Sequence, residues 1–520
     1  MRRLLMTIAT TATFSLCLAM LTGMPSTGTP ASAAQERRAG RPNVVLITAD
    51  DMRADDLRYM PFTRGEFRRR AVTFSDAVSP YPLCCPARAQ IVTGQYNHSN
   101  GVQGNAWPRG GYWALRQPRN TLPVWLRRGG YRTGYVGKYM NEYEKNPGRL
   151  PDPDGRLRGR HRNEVPPGWT HWAASVGYIY NYDRVRMLVD TPTTRPRRRT
   201  IERYQTEYFS DRTTSLIRRY HKAGRPFFIW ASHMAPHAAS RKSRWTPPRA
   251  APGDHRLYRR ASLPRGSAFR RAFNTPGVRA DGTLSEQRPV PRSRVLRLHR
   301  GRLKALRSLD RAVRATVGEL KRTGEYANTM VIFTSDNGFM LGERRRVGKD
   351  LPYEPSLRVP MLVSSGGLKV RYRPGAGAAQ RVTVPHTVTT TDIASTIVGV
   401  TGVRPGRPLD GIDMTRPRQN PDVRPGGDRV VLLESGARGP VTSRVHRFVG
   451  VRTNRWTWFT WRLRDTQNGV EPGRVEHYDR RRAPAQIASL TPDAALGARL
   501  RKLTLHMYDC RGRECVRSLS

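Results

Sequence analysis

Cysteine is scarce in this chain. Its 520 residues hold five: Cys17, Cys84, Cys85, Cys510 and Cys515. So few exclude a disulfide scaffold, and no C-x-x-C spacing of a structural zinc site occurs. Acidic residues are scarce too, 40 against 92 Lys and Arg, and the formal charge is +52. Such an excess suits polyanionic partners such as nucleic acid, anionic lipid or sulfated polysaccharide; alternatively it is an arginine bias spread over a solvated surface. No nucleic-acid motif and no aromatic–basic repeat is present, so nucleic acid is not the expected partner. There are no internal repeats, and beyond the N-terminal segment no run is apolar enough to span a membrane. Hydrophobic residues make up 37%, low but sufficient for a core at this length, which allows one large domain and one smaller one.

The N-terminus sets the compartment. Arg2 and Arg3 precede an apolar, small-residue run from Leu4 to Leu21, and a polar stretch then ends in Ala31-Ser32-Ala33-Ala34. This pattern predicts a secretory signal over residues 1–34 and a soluble, extracytoplasmic mature chain. The run is short and threonine-interrupted for a membrane anchor, and export by the general or the twin-arginine route stays open. Cys17 leaves with the signal. Cys510 and Cys515 are spaced to close a small disulfide loop in an oxidising compartment. The adjacent pair Cys84-Cys85 remains, and neighbours cannot bridge to each other without strain.

Asn43 to Thr48 is an apolar, β-branched run that predicts a buried strand, ending in Asp50-Asp51. Tyr131–Val136, Phe227–Trp230, Thr329–Phe333 and Pro360–Val363 are further candidate strands. The first three lead into Gly137-Lys138, into His233 and His237, and into Ser335-Asp336-Asn337-Gly338. Leu303, Leu306, Leu309, Val313, Val317 and Leu320 form an apolar stripe at helical spacing, read as core, that stops at Gly324. Strands alternating with helices predict an α/β domain over residues 41–410, with a large, mostly parallel central sheet flanked by helices. Its ligand site is expected beyond the carboxyl ends of the strands. Arg241 to Arg297, dense in Arg, Pro and Gly, reads as a long surface excursion. After Asp410 the pattern changes. Val430–Leu433, Arg447–Arg452 and Trp456–Trp461, with a turn at Thr453-Asn454, predict a small C-terminal antiparallel-sheet domain over residues 411–520.

Asp50, Asp51, Asp336 and Asn337 make an all-oxygen set of mixed charge that suits a hard cation such as Ca2+ or Mg2+, not zinc. Taken alone, each pair is more often a turn former or helix cap. Cys84-x-Pro86-x-Arg88, followed by Thr93-Gly94, is more specific: it resembles the signature of the formylglycine-dependent type I sulfatases. That resemblance implies that a formylglycine-generating enzyme converts Cys84 to 3-oxoalanine (formylglycine), whose hydrate is the nucleophile. Cys85 takes the variable second position and reads as a buried small residue. Pro86 suits the first turn of a helix, which places residue 84 at a helix N-terminus that favours an anion. Arg88 is then positioned for the formylglycine hydroxyls and the metal carboxylates.

The resemblance extends from about Asn43 to Cys515 and implies an alkaline-phosphatase-like fold. It implies one Ca2+ held by Asp50, Asp51, Asp336, Asn337 and the oxygen of the modified Cys84. Gly137-Lys138 and Gly348-Lys349 resemble the family's two sulfate-contacting lysine segments, and Ala235-Pro236-His237 the segment whose histidine serves the leaving oxygen. Cys84, Arg88, Lys138, His237 and Lys349 are therefore the implied catalytic residues. CCPAR, GKYMNEY, the YNY of Tyr180–Tyr182 and the terminal cysteine pair further resemble N-acetylglucosamine-6-sulfatases and relatives acting on glycosaminoglycans, which implies a sulfated carbohydrate as substrate. Two departures stand out. Met140 occupies a position where many sulfatases carry a histidine, leaving Asn141 as a partial substitute and His233 as either structural or contributory. Ala483 and Gln486 replace the acids that usually follow Tyr478-Asp479. Rival readings are an arylsulfatase, a phosphodiesterase or phosphonate monoester hydrolase on the same fold, and an inactive polyanion-binding relative.

Overall fold

The computed structural model describes residues 41–144, 165–191, 194–277, 287–364, 382–416, 428–436, 448–461, 465–466, 469–470 and 475–519. The expected signal segment, with Cys17, lies outside the described residues. Strand β1 (Asn43–Ala49) is buried at all seven positions, because both faces of its sheet are covered. That is why it reads as an unbroken apolar run and not as an alternation. Successive side chains enter opposite layers. Val44 and Leu46 join one core with Phe228, Trp230, Met330 and Ile332; Val45 and Ile47 join the other with Ile229, Val331 and Phe333. The stripe Leu303 to Leu320 lies in the second layer, on a helix spanning Arg292–Arg322. Helices Cys84–Thr93, Leu122–Arg128 and Asp392–Thr401 supply the first.

The large sheet has ten strands. In chain order they include β2 (Ala71–Val78), β3 (Arg132–Gly137), β4 (His171–Val176), β5 (Val185–Thr191), β6 (Thr194–Ile201), β7 (Phe227–Ser232) and β8 (Thr329–Ser335). The neighbours β8, β1, β7, β3 and β4 run parallel. Strand Met361–Ser364 runs antiparallel between β8 and β2, Val382–Thr389 lies parallel to β2, and β4, β5 and β6 form an antiparallel edge. The expected α/β sheet is present, with antiparallel strands toward its sides. Parallel strands share one carboxyl-end edge, so the residues following Ala49, Gly137, Ser232 and Ser335 meet there.

A second, antiparallel sheet joins Arg429–Ser435, Phe448–Arg452, Trp456–Trp461, Val475–Asp479 and Arg517–Ser518. Its tight turn falls at Thr453, whose N–H donates to the Trp456 carbonyl at 2.8 Å. Cys510 and Cys515 are joined in a disulfide. One face packs under helix Ala494–Asp509 through Val430, Leu432, Val451, Leu500 and Met507. The other sets Val431, Leu433, Phe448 and Phe459 against Leu351, Tyr353 and Leu357, in the segment just after Lys349.

The Arg241–Arg297 stretch is more than a surface excursion. Leu263, Phe269, Val290 and Val295 form a buried cluster with Phe339 and Leu341, a short helix spans Ser267–Ala272, and the long helix already starts at Arg292. Arginines obscure this pattern in the sequence because they cover apolar surface while keeping their heads in water. Arg294 lies 4.5 Å over the Trp245 ring and Arg292 5.3 Å over Phe273.

Four buried charges fasten the second sheet to the first. Arg452 bonds Asp76 of β2 at 3.0 Å and Glu354 at 2.8 Å; Arg480 bonds Asp76 at 2.8 Å and Glu354 at 3.0 Å. Burial alone raises both carboxyls, but the two guanidiniums override it, holding Glu354 at about 2 and Asp76 lower still. Arg452→Met leaves two buried carboxylates with one cation. It should lower the unfolding free energy by about 3 kcal/mol, read as a lower urea midpoint at an unchanged m-value. Because the folded pKa of Glu354 lies below its ordinary 4.5, the contribution is complete above that pH and is lost as pH falls toward 2. Stability measured across this window should fall in the wild type, and more shallowly in Arg452→Met.

Candidate active site

The site is assembled at the carboxyl ends of the parallel strands. β1 and β8 pair in register, Ala49 opposite Ser335, so Asp50-Asp51 emerge beside Asp336-Asn337. Asp51 then turns sharply with φ of +68°, a left-handed conformation that Asp tolerates better than most residues. Its N–H donates to Asp336 Oδ1 at 3.2 Å, and Asn337 Nδ2 donates to Asp51 Oδ1 at 2.8 Å. β3 ends at Gly137, φ +107°, where a Cβ would stand 1.9 Å from the Ser232 carbonyl. Only glycine permits that crossing, and it delivers Lys138 to the cluster.

Cys84 is the first residue of helix Cys84–Thr93, with Leu83 at the N-cap and Pro86 within the first turn. Every residue of this helix is buried, and Gly94 closes it with φ of +68°. Cys84 Sγ lies 3.4 Å from Asp50 Oδ1 and 2.7 Å from Lys349 Nζ. Cys85 faces the other way, into the apolar core, as expected of a buried small residue. One turn on, Arg88 donates through Nε at 3.1 Å and Nη2 at 2.9 Å to Asp336 Oδ2, and through Nη1 at 2.6 Å to the Lys138 carbonyl. Arg88 thus serves the carboxylates of the set, while residue 84 is contacted by Asp50 and Lys349.

Two lysines close the cluster. Lys138 Nζ pairs with Asp50 Oδ2, and Lys349 Nζ pairs with Asp51 Oδ1 and lies 3.8 Å from Asp50. His237 Nε2 stands 3.6 Å from Asp51 Oδ2. Its Nδ1–H donates to the Ala238 carbonyl at 2.9 Å, which directs Nε2 at the site. The YNY segment fixes this histidine: the Tyr182 hydroxyl donates to the His237 carbonyl at 2.7 Å, and the Tyr180 ring lies 5.4 Å from the imidazole.

Three carboxylates therefore face three cations in a buried place. Burial alone raises the Asp50 carboxyl, yet Lys138, His237, Lys349 and Arg88 hold it well below the carboxylate range. Asp336 is pushed up by burial and by Asp50, against Arg88. Burial, with Asp50 beside it, pushes the Cys84 thiol up to about 12. A thiol there stays protonated at neutral pH and is a poor nucleophile. Burial lowers His237, partly offset by Asp51 and Asp50.

The donor set fits a hard divalent cation. Ligand atoms of Asp50, Asp51, Cys84 and His237 all lie within 4.8 Å of one another, and Asn337 Oδ1 is buried with no hydrogen-bond partner. Asp336 is tied to this group through Arg88 and the Asp51 N–H. Above it opens a cavity of about 1120 Å³ lined by Asp51, Cys84, Lys138, His237 and Lys349. Met140 also lines it, with a side chain that belongs to the apolar core. Asn141 lines it too, and its Oδ1 is buried without a partner. His233 packs on Phe209 and is lowered to about 3 by burial, which is the structural alternative. Sequence reasoning missed Asp350, Arg244 and Arg346 on the same cavity. Burial pushes Asp350 up to about 7, and it accepts a hydrogen bond from Ser435 at 2.7 Å.

Comparison with known proteins agrees with this fold. The N-acetylglucosamine-6-sulfatase of Capra hircus is 32% identical over 347 residues, 63% of this chain and 56% of that protein. The extracellular sulfatase SULF-1 homolog of Drosophila melanogaster is 27% identical over 430 residues, 78% of this chain and 34% of that protein. The chain spans about half the length of the curated relatives it matches. Among solved structures, BT4656 in complex with its substrate D-glucosamine-2-N,6-O-disulfate aligns with a TM-score of 0.66 at 18% identity, over 89% of this chain and 97% of that one. The sulfatase family model matches residues 42–403, well over half of the sequence and the carboxyl ends of β1, β3, β7 and β8, and the chain belongs to the sulfatase family.

Proposed function

We propose that this protein is a secreted, Ca2+-dependent sulfatase that hydrolyses sulfate esters of a carbohydrate, such as N-acetylglucosamine 6-sulfate, through formylglycine at residue 84. The carrying observation is the setting of Cys84. It opens a buried helix on the floor of the cavity, 3.4 Å from Asp50 and 2.7 Å from Lys349, with a thiol pushed too high to react as thiolate. A modified side chain answers that contradiction. The reading divides the chain into a catalytic domain over residues 41–410 and a small C-terminal domain over residues 411–520. Export is supported by the N-terminal pattern and the Cys510–Cys515 disulfide.

Asp50, Asp51, Asp336, Asn337 and the residue-84 oxygen would hold Ca2+, which supplies charge neutralisation at the sulfate oxygens when bound. Lys138 and Lys349 add two fixed positive charges there. Water adds to the aldehyde, giving two hydroxyls on one carbon. One hydroxyl oxygen bonds to sulfur, and its proton passes to water in the cavity. The bond from sulfur to the ester oxygen breaks, and that oxygen leaves as the alcohol with a proton from His237. The second hydroxyl then loses its proton and becomes the carbonyl, while its carbon releases the sulfated oxygen as sulfate. Met140 offers no base for this proton; His237, deprotonated in the first half and within 4.8 Å of the residue-84 side chain, does.

Mass spectrometry of the tryptic peptide Ala71–Arg88, denatured and alkylated, should show an aldehyde at residue 84 and one alkylated thiol at Cys85. Two alkylated thiols in active protein would remove the nucleophile assignment. Asp336→Ala should fold, lose the rise in Tm that added Ca2+ gives the wild type, and lose about 1000-fold or more in kcat/KM. Retained Tm response and activity place the ion elsewhere. Sulfate esters should be turned over faster than matched phosphate and phosphonate esters; the reverse order favours the hydrolase alternative.

A further inference from the structure

The cavity over residue 84 carries a second cationic region that the reaction does not use. Arg346 and Arg244 both line it. Arg346 leads into the strand Val347–Gly348, which delivers Lys349. Arg346 is half-buried and, among the described residues, its guanidinium bonds no carboxylate. Two acids stand near the pair: Glu476 accepts from Trp461 at 2.8 Å, from Tyr353 at 3.2 Å and from Arg344 at 3.4 Å, and Asp350, which Arg244 and Lys349 influence, accepts from Ser435 at 2.7 Å. Among the described residues the Arg244 side chain makes one hydrogen bond, from Nη1 to the Val347 carbonyl at 2.8 Å. Burial lowers Arg346 from the ordinary arginine value; Tyr353 and Glu476 act against this, and the like charges of Arg344 and Arg244 add to it. A partly buried guanidinium with no acceptor is costly unless an anion completes it.

Resting on the sulfatase reading, we propose that Arg346 and Arg244 form a subsite for a second anionic group, sulfate or carboxylate, on the same substrate molecule. Arg346 stands three residues before Lys349, so their Cα atoms lie within about 11 Å. That separation suits a second charge on the reacting sugar or on its neighbour. The enzyme therefore prefers a doubly anionic saccharide over a singly sulfated one.

Three compounds separate the alternatives: N-acetylglucosamine 6-sulfate, glucosamine N,6-disulfate, and a disaccharide joining a uronic acid to N-acetylglucosamine 6-sulfate. The readout is kcat/KM for each two-anion compound divided by that for the one-anion compound. Arg346→Gln should lower this ratio about 10- to 100-fold. A fall confined to the disulfate identifies a sulfate subsite, and one confined to the disaccharide a carboxylate subsite. Ratios equal to the wild type's on both arms overturn the subsite while leaving the sulfatase reading intact. If the wild type turns over none of the three, that reading fails for these sugars, and calorimetry decides the subsite. Cys84→Ala and Cys84→Ala/Arg346→Gln proteins would be titrated with the same compounds, and equal Kd values overturn the proposal. Should Arg346→Gln fail to fold, Arg244→Gln, altered at an exposed side chain, carries the same ratio test.

Discussion

Asp50, Asp51 and Asp336 crowd together at the ends of adjacent strands, each with 2% or less of its surface exposed. Three like charges out of water repel strongly and forfeit hydration, so the fold must bring compensating charge to the same place. Arg88, Lys138 and Lys349 supply it, and they come from three separate elements: a helix, a strand end and a short hairpin. This balance ties the two core layers and the hairpin to one point. It also sets a cost on displacing any of them: a cation that drifted away would leave a buried carboxylate unpaired.

The sheet makes the convergence possible. Parallel pairing of β8, β1, β7 and β3 sends all their carboxyl ends to one edge, which a sheet of alternating direction would split between two. The second sheet contributes indirectly. Val431, Leu433, Phe448 and Phe459 pack on Leu351, Tyr353 and Leu357, and Ser435 bonds Asp350. Lys349 is therefore anchored from its C-terminal side by residues contributed after Arg429. The Asp76–Glu354–Arg452–Arg480 network then fixes the same segment against β2.

In the large sheet, β1, β3, β7, β8 and Met361–Ser364 were legible because burial on both faces forces nearly continuous apolar residues; β4 is buried at all six positions but was not, because His, Ala and Ser break its apolar run. β5 and β6, toward one edge, were not legible: Thr194–Ile201 carries Arg and Pro where a central strand would carry Val and Ile. The site was legible through Cys84, Pro86 and Arg88, whose spacing is chemically unusual, and through acids, lysines and histidines following apolar runs. Arg346 and Arg244 had no such mark. Two arginines among 92 basic residues look alike until burial and pairing distinguish them. Asp350 was hidden for a related reason: its partner, Ser435, lies 85 residues away in the chain.

By itself the sequence determined the class of fold, the strand-end positions of the candidate ligands, and the family signature around Cys84. These are local properties, set by side-chain periodicity and by spacing within a few residues. Only the tertiary structure decided which charges neutralise which: that Arg88 serves Asp336, that Lys138 takes Asp50 and Lys349 takes Asp51, and that His233 is structural while His237 faces the cavity. It also decided that Arg346 bonds no acid among the described residues. Pairing depends on distances across hundreds of residues, and Coulomb energy in a buried site changes steeply over a few ångströms, so linear spacing carries no information about it.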